Sequence, residues 1–371
     1  MNIVKKLLIV IVIVIFTYIL WRLLRTRVEL QKDKVKENFT FFGKASDNEL
    51  DNATNGSNVL IKSAVTTNLP LREYCIKASY NTALTGNYVN LDMISYVLNR
   101  GCRFLDFEVF YIGETSFDIN NLSITKYSPQ VAYSVDESFK TINTENSILL
   151  DKVLTAIATS AFSAPTPNIN DPVFINLRIK SENKDIYKAV AASIDNTIRD
   201  KLYVDTTVNR RTYPAKKVKK STPLSAIMGK IIICIDKTID RNYKENSNCN
   251  NNIDVCYDLK NYINIETGSE DLNLLRYSEI IDQCTIPINV NNDNKTTDVK
   301  TMKLVVPNTK YDNSKNPNIS DFILKYSAQI PAFRFYKNDR PLQVYEEFFD
   351  DYGSAFVPLA TAIPYFKKLL D

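Results

Sequence analysis

Residues 7–24, "LLIVIVIVIFTYILWRLL", form an apolar run broken only by Thr17 and Arg22. At 1.5 Å per residue, about 18 residues reach roughly 27 Å, close to the hydrocarbon thickness of a bilayer, so the pattern predicts a transmembrane helix. Lys5 and Lys6 precede the run; Trp21, Arg22, Arg25 and Arg27 follow it as interfacial anchors. No small-residue cleavage site follows, which separates it from a signal peptide. Basic residues are more numerous after the run than before it, which predicts a single-pass protein with its body in the cytoplasm. The expected organisation is an anchor over 1–27, a flexible polar stem over 28–70 containing "GKASDNELDNATNGSN", and a folded body over 71–371.

Within the body, apolar positions alternate between strand-like and helix-like periods. Strands are predicted at 73–79 ("EYCIKAS"), 102–112 ("CRFLDFEVFYI"), 171–180 ("DPVFINLRIK"), 229–236 ("GKIIICID"), 302–308 ("MKLVVPN") and 330–337 ("IPAFRFYK"). Helices are predicted at 88–101, closed by Gly101, at 147–162 and at 185–202. This order implies a parallel sheet with helices outside, and about 300 residues suits a closed (β/α)8 barrel or a doubly wound sheet. The polar stretch 241–258, rich in Asn, reads as a surface insert within the body.

Composition adds two constraints. The chain has no histidine, so any mechanism that needs an imidazole base or ligand is excluded. A net charge of +4 is too small to argue for nucleic acid. Cys75, Cys102 and Cys234 lie in apolar strands and read as buried thiols; Cys249 and Cys256 flank the insert and would bridge only in an oxidising compartment. Without histidine or paired thiols no zinc site is expected.

Two stretches carry a specific resemblance. Ser79 to Gly86 read "SYNTALTG" and Arg100 to Phe110 read "RGCRFLDFEVF". They resemble the S-H-N-T-x-L-T-G and R-G-C-R motifs of the phosphoinositide-specific phospholipase C catalytic barrel. Weaker similarities follow at "DPVFINLRIKS", "LSAIMGKIIICID", "LLRYSEII" and "KLVVPNTKYDNSKNPN". The resemblance implies a (β/α)8 (TIM) barrel, an X half over about 71–240 and a Y half over about 259–371.

It also implies which residues occupy the functional positions. The two family histidines are replaced by Tyr80 and Ser134. A phenol, with a pKa near 10, is neutral near pH 7 and cannot stand in for an imidazolium. Asn81, Asp106 and Glu108 occupy three calcium-ligand positions, and Asp106 and Glu108 share one face of a strand by its period of two. Arg178 stands where the last carboxylate belongs, so an Arg178–Asp106/Glu108 ion pair is expected in place of the metal, with residual calcium binding as the alternative. The resemblance places Cys234 and Asp236 where the family has two lysines that meet ring phosphates, and Arg276, Leu304 and Val306 at its other substrate-contact positions, none matching the family pattern.

A further basic stretch, "NRRTYPAKKVKK", carries Arg210, Arg211, Lys216, Lys217, Lys219 and Lys220. It joins a helix to the next strand, which places it on the barrel's N-terminal face, away from the mouth. It reads as a docking surface for an anionic lipid or a protein partner. The expected function is a membrane-anchored, catalytically inactive phospholipase C-like module, with a large DNA virus as its source. The alternative is an active phosphoric diester hydrolase acting on phosphoinositide lipids by a mechanism without histidine.

Overall fold

In the computed structural model eight parallel strands are the frame on which the rest is hung. It describes residues 45–56, 59–117, 123–135, 141–207, 214–246, 257–281, 301–308 and 315–370. The apolar run 7–24 lies outside these residues, as do Arg210, Arg211, Cys249 and Cys256; among the described residues no helix is long and apolar enough to cross a membrane. Leu50–Asp371 is one unit; of the preceding unit only the helical residues 45–49 are described.

The strands are β1 (Ala78–Ser79), β2 (Phe104–Phe117), β3 (Val173–Lys180), β4 (Ile231–Asp236), β5 (Ile265–Thr267), β6 (Asn273–Arg276), β7 (Lys303–Val306) and β8 (Ile330–Phe333). Parallel pairing runs β5-β4-β3-β2-β1-β8-β7-β6, so β1 and β8 close the ring; β5 and β6 share no ladder among the described residues. This is a nearly closed TIM barrel. Around it lie α1 (Leu91–Asn99), α2 (Leu150–Ser160), α3 (Asp185–Ile198), α4 (Ile319–Tyr326), α5 (Arg340–Asp351) and α6 (Leu359–Leu370).

Sequence alternation explains the layering. β3 is buried throughout because both of its faces are covered. Val173, Ile175, Leu177 and Ile179 face the helices and belong to the outer core, whereas Phe174 points into the barrel. On β4, Ile231, Ile233 and Ile235 belong to the outer core and Ile232 and Cys234 to the inner one. Phe104 and Phe174 stack at 6.1 Å inside the barrel. Further along the same inward rows come Asp106 and Glu108 on β2 and Asn176, Arg178 and Lys180 on β3. The interior therefore changes from apolar at the strand starts to charged at their C-terminal ends. Tyr345 of α5 fixes the β1–β8 closure: its hydroxyl accepts the Ala78 N–H at 2.6 Å and donates toward the Pro331 carbonyl at 3.1 Å.

Three expectations are corrected. Helix α1 starts at Leu91 rather than residue 88, because the Asn90 side chain accepts the Asp92 N–H and caps it there. The strand expected over 102–112 continues to Phe117 and returns as an antiparallel strand, Ser123–Ala132. The stem expected over 28–70 is part of the body in its second half: Ala53 and Ile61 are buried in the outer core, and the Ala64 N–H donates to Asp171. The insert, too, is tied down at its start, where Tyr243 is buried and donates to Glu266 at 2.8 Å.

Asp171, just before β3, accepts from Ala64 N–H at 2.8 Å and Asn168 Nδ2 at 3.1 Å. Burial is the main influence on its carboxyl and pushes its pKa up to about 6, against smaller lowering by the Ala64 amide, Arg103 and Asn168. Its folded pKa lies above the unfolded value near 3.9, so the folded state holds more protons between roughly pH 4 and 6 and stability from this group falls as pH rises. Urea unfolding is expected to show wild type gaining on the order of 2–3 kcal/mol relative to Asp171→Asn between pH 7 and 4. The difference between the two proteins is expected to be flat above pH 7.

Candidate functional site

At the C-terminal ends of β1 to β3, four residues converge on one guanidinium. The register places Asp106 beside Asn176 and Glu108 beside Arg178 across the β2–β3 ladder. Strand period then aims all four inward. The loop after β1 turns sharply at Asn81, whose φ of +44° is left-handed, a conformation that Asn tolerates better than most residues. That turn lets the Asn81 N–H donate to Asp106 Oδ2 at 3.2 Å and the Thr82 N–H to the Asp106 carbonyl at 2.9 Å.

Arg178 fills the centre. Its Nε donates to Asp106 Oδ1 at 3.0 Å and its Nη2 to Asp106 Oδ2 at 2.7 Å. Nη2 also donates to Asn81 Oδ1 at 2.6 Å; Nη1 donates to Glu108 Oε1 at 2.6 Å and to the Tyr80 hydroxyl at 3.4 Å. The guanidinium carbon sits 4.6 Å from the centre of the Tyr80 ring, a cation–π contact. A guanidinium has five N–H donors, and each has a partner here. The ion pair expected from the sequence is therefore present.

The acceptors are equally occupied. Asp106 Oδ1 receives Asn176 Nδ2 at 2.8 Å in addition to Arg178 Nε, and Oδ2 receives the Asn81 amide in addition to Nη2. Glu108 Oε2 accepts Lys180 Nζ at 3.0 Å and the Ser134 N–H at 3.0 Å. Asn176 is itself oriented by Thr267, whose hydroxyl donates to its Oδ1 at 2.9 Å. Burial alone would lower the pKa of Arg178, but the facing Asp106, Tyr80 and Glu108 outweigh it and hold it well above its usual value. Lys180 goes the other way: burial depresses it, partly offset by Glu108, and Arg178 and Arg276 lower it further.

A divalent ion does not fit this arrangement. Calcium needs six to eight oxygen ligands, and the lone-pair directions of Asp106 are already taken by four donors. Among the described residues no group of three or more Asp, Glu or Cys side chains is placed to hold a metal.

The remaining positions divide. Tyr80 and Ser134 are at the site and buried; Ser134 contributes its backbone N–H to Glu108 and its carbonyl, 3.4 Å from Lys180 Nζ. Asp236 lies at the end of β4, its Oδ1 accepting the Thr238 N–H and hydroxyl at 2.9 and 2.6 Å. Its Oδ2, and Asn81 Nδ2, are buried with no hydrogen-bond partner among the described residues. Arg276 is half-buried and reaches the Pro307 carbonyl at 3.5 Å. Cys234, Leu304 and Val306 are instead packed in the inner core and wholly buried. Burial pushes the Cys234 thiol far up, so it is no nucleophile. Sequence reasoning missed Asn176, Lys180 and Thr267. The first two were legible as inward neighbours of Arg178 two places away on the same strand; Thr267 had no such signal.

Residues 67–237 match the family described as phosphatidylinositol-specific phospholipase C, X domain. Among solved structures, PLC21 of S. officinalis has a TM-score of 0.52 at 17% identity over 81% of this chain. PLC21 of L. pealei has a TM-score of 0.52 at 16% identity over 81% of this chain. The chain spans 38% of the length of each of these two proteins. A calcium-dependent phosphoinositol-specific phospholipase C from Pseudomonas sp. aligns over 82% of this chain and 100% of its own, with a TM-score of 0.44 and 12% identity. At these identities the likeness is one of fold. No relative is found among curated proteins.

Removing one partner of a buried ion cluster strands the others. Arg178→Met is therefore expected to lower unfolding free energy by roughly 3–5 kcal/mol, measured by urea titration. Replacing Arg178, Lys180, Asp106 and Glu108 together by apolar residues of similar volume, which leaves no buried charge behind, is expected to recover most of that loss.

Proposed function

We propose, on the premise that this chain is a divergent member of the phosphatidylinositol-specific phospholipase C family of barrels, that it is a membrane-anchored, catalytically inactive binding or structural module. One observation carries this reading: the Arg178 guanidinium occupies the centre of the site, saturating Asp106 and pairing with Glu108. A fixed cation there excludes a divalent one by charge and by volume. The second support is the absence of histidine from the whole chain, which leaves no side chain with an unperturbed pKa near neutrality to move protons. Tyr80 is held under the guanidinium and Ser134 is engaged through its backbone. The apolar run 7–24 supports the anchor and its flanking charges support a cytoplasmic body. A large DNA virus as the source rests on composition and on the loss of the family's chemistry.

A second reading, a binder for a small polyol such as an inositol headgroup, has its own observation. Asn81 Nδ2 and Asp236 Oδ2 are a donor and an acceptor buried without partners. Such groups are rare in folded proteins unless a ligand or ordered water meets them. Hydroxyl groups of such a ligand would suit a donor of the Asn81 kind and an acceptor of the Asp236 kind without any bond being cleaved.

The discriminating assay is release of labelled inositol phosphate from phosphatidylinositol vesicles in the presence of calcium. The full chain is expected to give the protein-free rate, and Asp106→Asn the same rate. Turnover that disappears in Asp106→Asn overturns the inactive reading in favour of a phosphodiesterase using Tyr80, Asp106 and Glu108. Arg178→Glu restores a carboxylate beside Asn81, Asp106 and Glu108. It is expected to gain a calcium-dependent rise in Tm that wild type does not have. Wild type stabilised by calcium to the same extent would mean that Arg178 has not displaced the ion.

A further inference from the structure

The basic loop and the segment that leads into the barrel meet on the face opposite the mouth. After α3 the chain passes beneath the strand starts: the Lys216 N–H donates to the Tyr203 carbonyl, the Val218 N–H to Asn264 directly before β5, and the Leu71 N–H to Thr222. Lys216 and Lys219 are exposed there, and so is Lys230 directly before β4. Lys217 is exposed beside them, and its amine donates to the Ile263 carbonyl at 2.8 Å. The approach segment crosses the same face. Its Lys62 is exposed and donates its N–H to Gly353, and its Ala64 reaches Asp171 at the start of β3.

This segment also presents apolar side chains to solvent. Leu60 is 70% exposed and Val65 is 95% exposed. With Tyr352 and Pro358 they border a shallow cleft of about 360 Å³. Of the acids nearby, Glu73 faces Arg72 at 3.5 Å, Asp271 accepts the Lys220 backbone N–H at 3.3 Å, Asp205 accepts the Thr207 hydroxyl at 2.6 Å and Asp350 accepts the Leu60 N–H at 3.3 Å. Protruding aliphatic side chains on a face that also carries exposed amines suit the boundary between lipid headgroups and acyl chains, where apolar burial and attraction to anionic lipid act together.

We infer that the N-terminal face of the barrel docks on an anionic lipid surface. Leu60 and Val65 enter the headgroup layer, Lys62, Lys216, Lys219 and Lys230 face lipid phosphates, and the mouth that holds Arg178 is turned away from the bilayer. The inference rests on the anchored reading of residues 7–24 only for bringing the chain to a membrane. Charge favours this face over the other. The hairpin at the mouth also exposes Ile124 and Tyr127, but there, among the described residues, Glu114 sits directly opposite Lys126 and offsets its charge.

The test uses the full chain in vesicles whose acyl chains carry bromine. Trp21 is the chain's one tryptophan, so Trp21→Phe gives a dark background. A reporter is then placed by Val65→Trp or Ile124→Trp. The Val65 reporter is expected to be quenched at least about twofold more in phosphatidylcholine–phosphatidylserine than in phosphatidylcholine alone. The Ile124 reporter is expected to be unquenched in both, and Lys216→Glu with Lys219→Glu is expected to remove the dependence on phosphatidylserine. Quenching of the Ile124 reporter alone, of neither reporter (the result if an acidic protein is the true occupant), or of the Val65 reporter equally in both lipids overturns the proposal. Alkaline extraction of the same vesicles reads the anchor separately. A chain retained by the vesicles with its Val65 reporter unquenched refutes docking and leaves the anchor standing. A chain released by alkali but quenched beforehand refutes the anchor and leaves docking standing.

Discussion

The buried contact between Arg178 and the Asp106–Glu108 pair is the interaction on which the upper half of the barrel depends. Two carboxylates aimed inward from adjacent positions of one strand face would repel each other and lose hydration in a low-dielectric interior. A compensating positive charge must be there, and the only question is which one. Here it is a planar side chain from the neighbouring strand, whose fork matches a carboxylate in two dentate contacts with Asp106. Lys180 adds a second cation on the same strand, directed at Glu108. The cluster thereby closes on itself: the left-handed turn at Asn81, the backbone of Ser134 and the amide of Asn176 all serve to complete the coordination of two acids and one base. Sites that hold a metal use comparable oxygens but leave room at the centre.

Much of this arrangement was legible in sequence. The alternation in β3, "VFINLRIK", assigns Asn176, Arg178 and Lys180 to one face without any structure, and "FLDFEV" does the same for Asp106 and Glu108. The step from "two faces of a strand" to "facing each other" needs the pairing register. Single-strand periodicity does not supply that; the aligned motifs did. Cys234, Leu304 and Val306 illustrate the limit. Alignment marked them as positions of substrate contact, yet they lie in the inner apolar core, where a side chain without charge packs inward rather than reaching the mouth.

Features that arise from long-range contact were the ones missed. The return strand Ser123–Ala132 is polar and carries no strong period, and it exists because β2 offers it ten paired positions. Residues 59–70 follow the polar, turn-rich stretch 43–58, whose composition carries the expected flexible stem on over them. Their order comes from isolated anchors: Ile61 in the outer core, the Lys62 backbone on Gly353, and Ala64 on Asp171. A carboxylate more than a hundred positions away cannot be read from the local pattern. The contact of Lys217 with the Ile263 carbonyl was missed for the same reason, since only the fold brings the two together.

The incomplete seam between β5 and β6 has a consequence for solubility. A ring that fails to close leaves two strand borders with unsatisfied amides and carbonyls, which other chains can extend into intermolecular sheet. In this barrel those borders are among the shortest strands, Ile265–Thr267 and Asn273–Arg276, joined by a connection at Gly268 that folds back to Leu272. A border of three or four residues offers too few consecutive sites to nucleate stacking, and Glu266 on one side and Arg276 on the other place a charge on each. The fold thus tolerates an open ring because brevity, charge and partial burial make its open margins poor templates for self-assembly.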